Sequence, residues 1–274
     1  MASAPAPVAD LEARVLRDGY AVVEDFISAA EVGRLLDVFR SLDCPAHHGE
    51  WTGSMFSADL DYRAEVDRAI TDVFTPHAAS LLPGYRFCYC NFLVKEPQRA
   101  DGGVVQIHQD PTFVDEGRFA SIGLWVPLVD TDMTNGGIAV LPGSHHWNEG
   151  PRSFGGWSPY HALLELLHAS ARPVPIKAGS ALVFSQKLFH GSPANRSGTT
   201  RITATALLVS NEAPLRCYHA NPELPQGLEV FEVDDRFYTR HPYGTRPAGV
   251  PRIAIVDRAY DPIDPRTVTE ARGF

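Results

Sequence analysis

The chain has 274 residues, 44% of them hydrophobic and 21% charged, which is the composition of an ordinary globular protein. A compact domain of that length buries about three quarters of its unfolded surface, so a core needs no disulfide or zinc staple, and one domain over residues 1–274 is expected. A formal net charge of −9 repels phosphate backbones and argues against nucleic acid as a partner, and no apolar run approaches the roughly 18 residues of a spanning helix, which argues against a membrane.

Residues 1–9, rich in Ala and Pro, lack a basic stretch followed by an apolar one and read as a frayed terminus instead of a signal peptide. Residues 11–18 have helical spacing and stop at Gly19, and Tyr20-Ala-Val-Val then reads as a short strand. Ser28-Ala-Ala-Glu31 is a capping-box pattern. It opens a predicted helix to about Leu42, with Val32, Leu35, Leu36 and Phe39 on one face. Residues 43–57 read as loop, and the adjacent His47 and His48 within it as solvated side chains. The spacing of Leu60, Val66, Ile70, Val73 and Phe74 predicts a second helix within residues 58–82, interrupted at Pro76. Residues 85–95 alternate as a long strand, and residues 98–103 form a polar connection able to move. Of the cysteines, Cys44, Cys88, Cys90 and Cys217, no two form a C-x-x-C pair, so reduced thiols and a cytoplasmic location are expected. Cys88 and Cys90 share a strand face and read as packing residues.

Residues 104–110, Val-Val-Gln-Ile-His-Gln-Asp, carry the first chemical signal. In an extended strand positions i and i+2 point the same way, so His108 and Asp110 can both reach one cation. Residues 120–129 return as a strand, Asn135-Gly136-Gly137 is a turn signal, and residues 138–141 form the next strand. His145 reads as a loop residue supporting the fold. Residues 150–160 are rich in Gly and Pro, and because long irregular loops often bind ligands, Arg152 and Trp157 are the candidate substrate contacts. Ser158-Pro159 predicts a helix start, with the helix running through His168.

Residues 171–176, 180–186 and 201–210 complete the strand set. Between the last two lies Phe189-His190-Gly191-Ser192, and His190 is placed to be a third ligand. Two histidines and a carboxylate on one face of a metal leave the opposite positions open, as in non-haem Fe(II) oxygenases. Arg201 follows His190 at spacing eleven. On an adjacent antiparallel strand its guanidinium fork would suit a carboxylate held bidentately. The tail, residues 223–274, shows no clear period; covering the pocket, joining a dimer and partial mobility all stay open.

With these residues in view, the chain resembles the phytanoyl-CoA dioxygenase family. The resemblance runs from Asp18-Gly-Tyr through Asn91-Phe-Leu-Val-Lys95, His108-Gln-Asp110, Trp125, Asn135-Gly-Gly-Ile-Ala-Val-Leu-Pro-Gly-Ser-His145 and His190-Gly-Ser192 to Arg201. It implies a mainly β fold with flanking helices, a double-stranded β-helix of the jelly-roll, cupin-like kind. It implies His108, Asp110 and His190 as ligands of Fe(II), with 2-oxoglutarate and O₂ as co-substrates. Arg201 would pair with the distal carboxylate of 2-oxoglutarate, and Ser192 would hydrogen-bond the same group. Asn91 and Trp125 fall where the family makes further co-substrate contacts, although the apolar run around Trp125 also reads as core strand. Family members that halogenate replace the carboxylate ligand by a small residue, so Asp110 points to hydroxylation or another C–H oxidation of a small metabolite or natural-product intermediate, by a monomer or homodimer. Two other readings of the same residues are a zinc-dependent hydrolase and a non-catalytic cupin-like binding protein.

Overall fold

Strand alternation decides the architecture. The computed structural model describes residues 8–42, 51–97, 103–154, 160–258, 260 and 262–271. In chain order the major sheet draws on β1 (Tyr20–Val23), β2 (Trp51–Gly53), β3 (Tyr85–Lys95), β5 (Ser121–Pro127), β8 (Ala181–Ser185) and β10 (Arg201–Ser210), in the spatial order β1-β8-β5-β10-β3-β2. A minor sheet is formed by β4 (Val105–His108), β6 (Ala139–Val140), β7 (Arg172–Pro173) and β9 (His190–Ser192), in the order β4-β9-β6-β7. All of these pairings are antiparallel.

On β3, β5, β8 and β10 alternate residues face opposite ways. Phe92, Val94, Leu124, Val126, Val183, Ala204 and Ala206 join one core cluster with Leu11, Leu35, Val66, Ile70 and Phe74. Those last side chains come from helices α1 (Val8–Asp18), α2 (Ala29–Ser41) and α3 (Leu60–Leu81), which cover the outer face. Each such fully buried Leu, Ile or Phe contributes about 1.5–3 kcal/mol. On the other face, Trp125, Leu182 and Phe184 meet Ile138 and Val140 of the minor sheet. The two sheets thus face each other as a double-stranded β-helix, helices outside and a cavity between, which is the fold class the family resemblance implies.

The capping box forms as predicted, Ser28 accepting from the Glu31 N–H and Glu31 from the Ser28 N–H. Other expectations need correction or completion. Pro76 does not interrupt α3, which runs unbroken from Leu60 to Leu81; Val73, Phe74 and Ala78 are buried on either side of it, and that packing holds a helix that local preference would end. The C-terminal region, whose role the sequence left open, carries regular structure where described. Strands β11 (Leu215–Ala220), β12 (Gly227–Val233) and β13 (Arg252–Asp257) form a third sheet, accompanied by short helices α5 (Phe237–Arg240) and α6 (Pro265–Glu270); α4 (Leu164–Ser170) precedes β7. Finally, β9 and β10 are not neighbours. His190 lies in the minor sheet and Arg201 in the major one, so their connection crosses between sheets.

Cys88 and Cys90 are both buried and free, as packing residues should be. They fall in different clusters, beside a bulge at Leu207/Leu208 that shifts the register of β3 against β10. His145 also serves the fold, its Nε2 meeting the Leu16 carbonyl at 2.9 Å. Among the described residues no helix is long and apolar enough to cross a membrane. His47, His48, the 98–102 connection and Ser158-Pro159 lie outside the described residues.

Candidate active site

The pairing of β4 with β9 sets His108 directly opposite His190. Opposed side chains on one face of an antiparallel pair are neighbours, and the two imidazole centroids are 4.6 Å apart. Gly191 permits that closeness, since a Cβ there would lie 2.6 Å from the Val105 carbonyl oxygen. Asp110 sits two residues beyond His108, its backbone N–H donating to the Gln186 carbonyl at 3.1 Å. Its carboxylate oxygens lie 3.6 Å from His108 Nε2 and 3.8 Å from His190 Nε2. One ligand atom from each of the three residues falls within 4.8 Å of the others, close enough to share one metal ion.

The tautomers suit that role. His108 Nδ1 meets the Gln106 carbonyl at 2.8 Å and His190 Nδ1 the Leu188 carbonyl at 2.9 Å. Carbonyls can only accept, so each Nδ1 carries the proton and each Nε2 turns its lone pair toward Asp110. Burial pushes the His190 imidazole below its ordinary pKa. Burial would also raise the Asp110 carboxyl, but the charges of His190 and His108 outweigh it and hold the group below the usual carboxylate range. For His108 burial acts downward, and the neighbouring Asp110 carboxylate more than reverses it.

Two residues behind Asp110 hold it in place. With its amide oriented to satisfy both neighbours, Gln186 donates to Asp110 Oδ2 at 2.9 Å and accepts from the Gly123 N–H at 3.0 Å. Arg152 donates from Nε to the Asp110 carbonyl at 2.6 Å, and its other nitrogens form a pair with Glu116 at 2.8 and 2.6 Å. The expectation that Arg152 touches substrate is therefore corrected: it is 6% exposed, each of its guanidinium nitrogens donates within the protein, and it braces the Asp110 backbone. Trp157 lies outside the described residues.

Arg201, 3% exposed, lines the same cavity as His108, Asp110 and His190. Its Nη1 donates to the Gly136 carbonyl at 3.2 Å, and its Nε has no partner. Its guanidinium lies 5.5 Å from the Trp125 ring centroid. Burial depresses its pKa to about 9. Lys95, its register partner on β3, is wholly buried and donates to the Ser192 and Pro193 carbonyls. Burial, reinforced by the Arg201 charge, pushes the Lys95 amine down to about 6. A buried guanidinium with a free donor and no carboxylate partner among the described residues is a site shaped for an anionic group.

Ser192, Asn91 and Trp125 all line this cavity, which encloses about 950 Å³ including its open mouth. Trp125 belongs to a core cluster, as the core-strand reading expected, and it also lines the cavity. Asn91 Nδ2 donates to Thr205 Oγ1 at 2.7 Å, while its buried Oδ1 has no partner. Sequence reasoning missed Gln186, although a glutamine ending an apolar run four residues before His190 was a usable signal. It also missed Tyr89, Tyr243, Trp51 and Phe56 in the lining.

Comparison with known proteins gives a consistent picture. A family model described as phytanoyl-CoA dioxygenase (PhyH) matches residues 15–203. Phytanoyl-CoA dioxygenase 1 of Oryza sativa subsp. japonica is 30% identical over 129 residues, 44% of this chain and 43% of that protein. The chain spans about half the length of the curated relatives it matches. Among solved structures, the non-heme alpha ketoglutarate dependent carbocyclase SnoK from nogalamycin biosynthesis aligns with a TM-score of 0.58 at 18% identity, covering 92% of this chain and 100% of that one. The epimerase SnoN from the same biosynthesis aligns with a TM-score of 0.55 at 21% identity, covering 76% and 85%; SnoN has also been solved with Fe3+, alpha ketoglutarate and nogalamycin RO.

Proposed function

The chain belongs to the phytanoyl-CoA dioxygenase family, and on that premise we propose that it is an Fe(II)- and 2-oxoglutarate-dependent dioxygenase. Its reaction would be hydroxylation, or another oxidation at C–H, of a small metabolite or natural-product intermediate. The observation that carries this reading is a His/Asp/His cluster and a buried, under-partnered arginine in one cavity. The solved structures of similar fold that act on or bind natural products lend it support.

His108, Asp110 and His190 would hold the iron, and the donor set fits: two imidazole nitrogens with lone pairs free and one ionised carboxylate. When bound, iron couples the activation of O₂ and the oxidative decarboxylation of 2-oxoglutarate, to succinate and CO₂, to oxidation of a substrate C–H bond. The protein's own part is positioning. Gln186 fixes the direction of Asp110, and the Gln106 and Leu188 carbonyls fix both imidazoles. Arg201 and the Ser192 hydroxyl would grip the far carboxylate of 2-oxoglutarate, with Trp125 shielding the guanidinium from water. Asn91 Oδ1, buried without a donor, is free to accept from a ligand. The described lining holds no second carboxylate to act as general base, so no residue favours a hydrolase.

The test is succinate formation from 2-oxoglutarate in air with Fe(II) and ascorbate, run beside His190→Ala. We expect 2-oxoglutarate-dependent succinate from the wild type and at least a hundredfold less from the variant, a loss of about 2.7 kcal/mol or more. Turnover with Zn(II) under argon would favour the hydrolase instead. Absence of succinate together with absence of 2-oxoglutarate binding would leave a binding protein.

A further inference from the structure

Besides His108, Asp110, His190 and Arg201, the cavity is lined by several aromatic rings, four of which form one packed row. Trp51 meets Phe56 edge to face, with centroids 5.6 Å apart and planes at 75°. Phe56 meets Tyr243 at 4.7 Å and 85°, and Tyr243 meets Phe154 at 4.8 Å and 90°. Tyr89 of β3 lines the same cavity. These rings come from a short edge strand and the turn after it, the loop near residue 154, the major sheet and the C-terminal region, so the fold spends four separate segments on one surface. Trp51 and Phe56 nevertheless stay 36% and 43% exposed. Large apolar side chains left clustered at the mouth of a cavity mark a surface that something covers.

Charge narrows what that is. Apart from the His/Asp/His cluster and Arg201, the described residues lining the cavity carry none. A coenzyme A thioester would need cations for its phosphates, and a free amino acid would need a partner for each of its charges. A quaternary ammonium group prefers ring faces framing a hollow, whereas these rings are packed edge to face on one another. Beside the aromatic row the polar groups on offer are the Tyr89 and Tyr243 hydroxyls, for which no hydrogen bond is formed among the described residues, while Asn91 Oδ1 elsewhere in the lining can only accept. Both hydroxyls are neutral, burial holding their pKa values above the ordinary tyrosine range.

We propose that the Trp51–Phe56–Tyr243–Phe154 wall selects the substrate, and that the substrate is an uncharged molecule built on a flat fused or linked ring system with a hydroxyl or carbonyl for Tyr89 or Tyr243. The proposal rests on the oxygenase reading for the identity of the reacting end, but not for the binding of the rings.

Calorimetry under argon, on protein loaded with Mn(II) and 2-oxoglutarate, tests it without turnover. The uncharged probes are flavone, fluorenone and 2-naphthol; the charged ones are decanoyl-CoA, L-phenylalanine and choline. At least one uncharged ring compound should saturate with Kd below about 1 mM and bind at least tenfold more tightly than every charged probe. Trp51→Ala and Phe56→Ala should each weaken it about 2- to 10-fold, and Tyr243→Phe, which removes only a hydroxyl, should weaken a carbonyl-bearing probe while leaving 2-oxoglutarate affinity as it was. Equal or tighter binding of a charged probe, no binding by any ring compound, or unchanged affinity in all three variants overturns the proposal. Ring binding without 2-oxoglutarate binding would instead remove the oxygenase reading and leave the wall's preference standing.

Discussion

Arg201 carries a charge that the fold buries without neutralising. A guanidinium in that position costs stability unless an anion joins it; its Nε has no partner, and the residue lines the cavity that His108, Asp110 and His190 also line. Arg201→Ala should therefore raise the Kd for 2-oxoglutarate some 30- to several-thousand-fold, the effect of about 2–5 kcal/mol for a severed buried charge pair, while Mn(II) titration shows metal binding retained. Arg201→Lys should restore little, because one ammonium cannot reproduce a planar fork. An unchanged Kd in Arg201→Ala would take Arg201 out of this role, and an unchanged Kd in Arg201→Lys would show that the charge alone suffices. The candidate ligands were legible because period-two alternation fixes the relation of His108 to Asp110 whatever the surrounding fold. Gln186 was less so: an amide at the end of an apolar run signals a buried polar partner without saying which group it serves.

Elements whose causes are local were readable, and those whose causes are distant were not. The capping box of α2 needs only Ser28 and Glu31, and it forms. What the sequence could not show is that His77 of α3 bonds the same carboxylate, Nε2 to Oε1 at 2.9 Å, so the cap also ties two helices together. That hydrogen bond, followed by those from Ser28, holds the Glu31 carboxyl down at about 2. A depressed carboxyl pKa adds stability that is fully present above the ordinary value of 4.5 and fades as pH falls toward 2. Glu31→Gln should thus lower stability by about 1 kcal/mol near neutral pH, and thermal melts at successive pH values should show the gap to wild type closing below pH 4.5. A gap that stayed constant down to pH 2 would mean the carboxylate's charge is irrelevant there. Pro76 and the β9–β10 relation failed for the complementary reason, since packing of Phe74 and Ala78 overrides a proline, and alternation identifies a strand without naming its sheet.

For the whole molecule, the cavity belongs to no single layer. The minor sheet supplies His108 and His190, the major sheet Arg201 and Trp125, and the C-terminal region Tyr243. That last region read as aperiodic because its anchors are long-range: Arg63 of α3 donates to the Tyr238 and His241 carbonyls, and the Tyr238 hydroxyl donates to the Arg216 carbonyl. A ligand pair bridging the sheets must then stabilise all the layers together. Mn(II) with 2-oxoglutarate at a hundred times its Kd should add about 2.7 kcal/mol, which for a chain of this size raises Tm by about 5–10 °C at roughly 2–4 °C per kcal/mol. Either ligand alone should give less, since each then makes only part of the contacts. The shift should appear in a single transition whether followed by far-ultraviolet dichroism or by tryptophan fluorescence. Two transitions, with the ligands moving one and leaving the other in place, would mean that the C-terminal region melts independently and that Tyr243 closes a cavity whose stability does not depend on it.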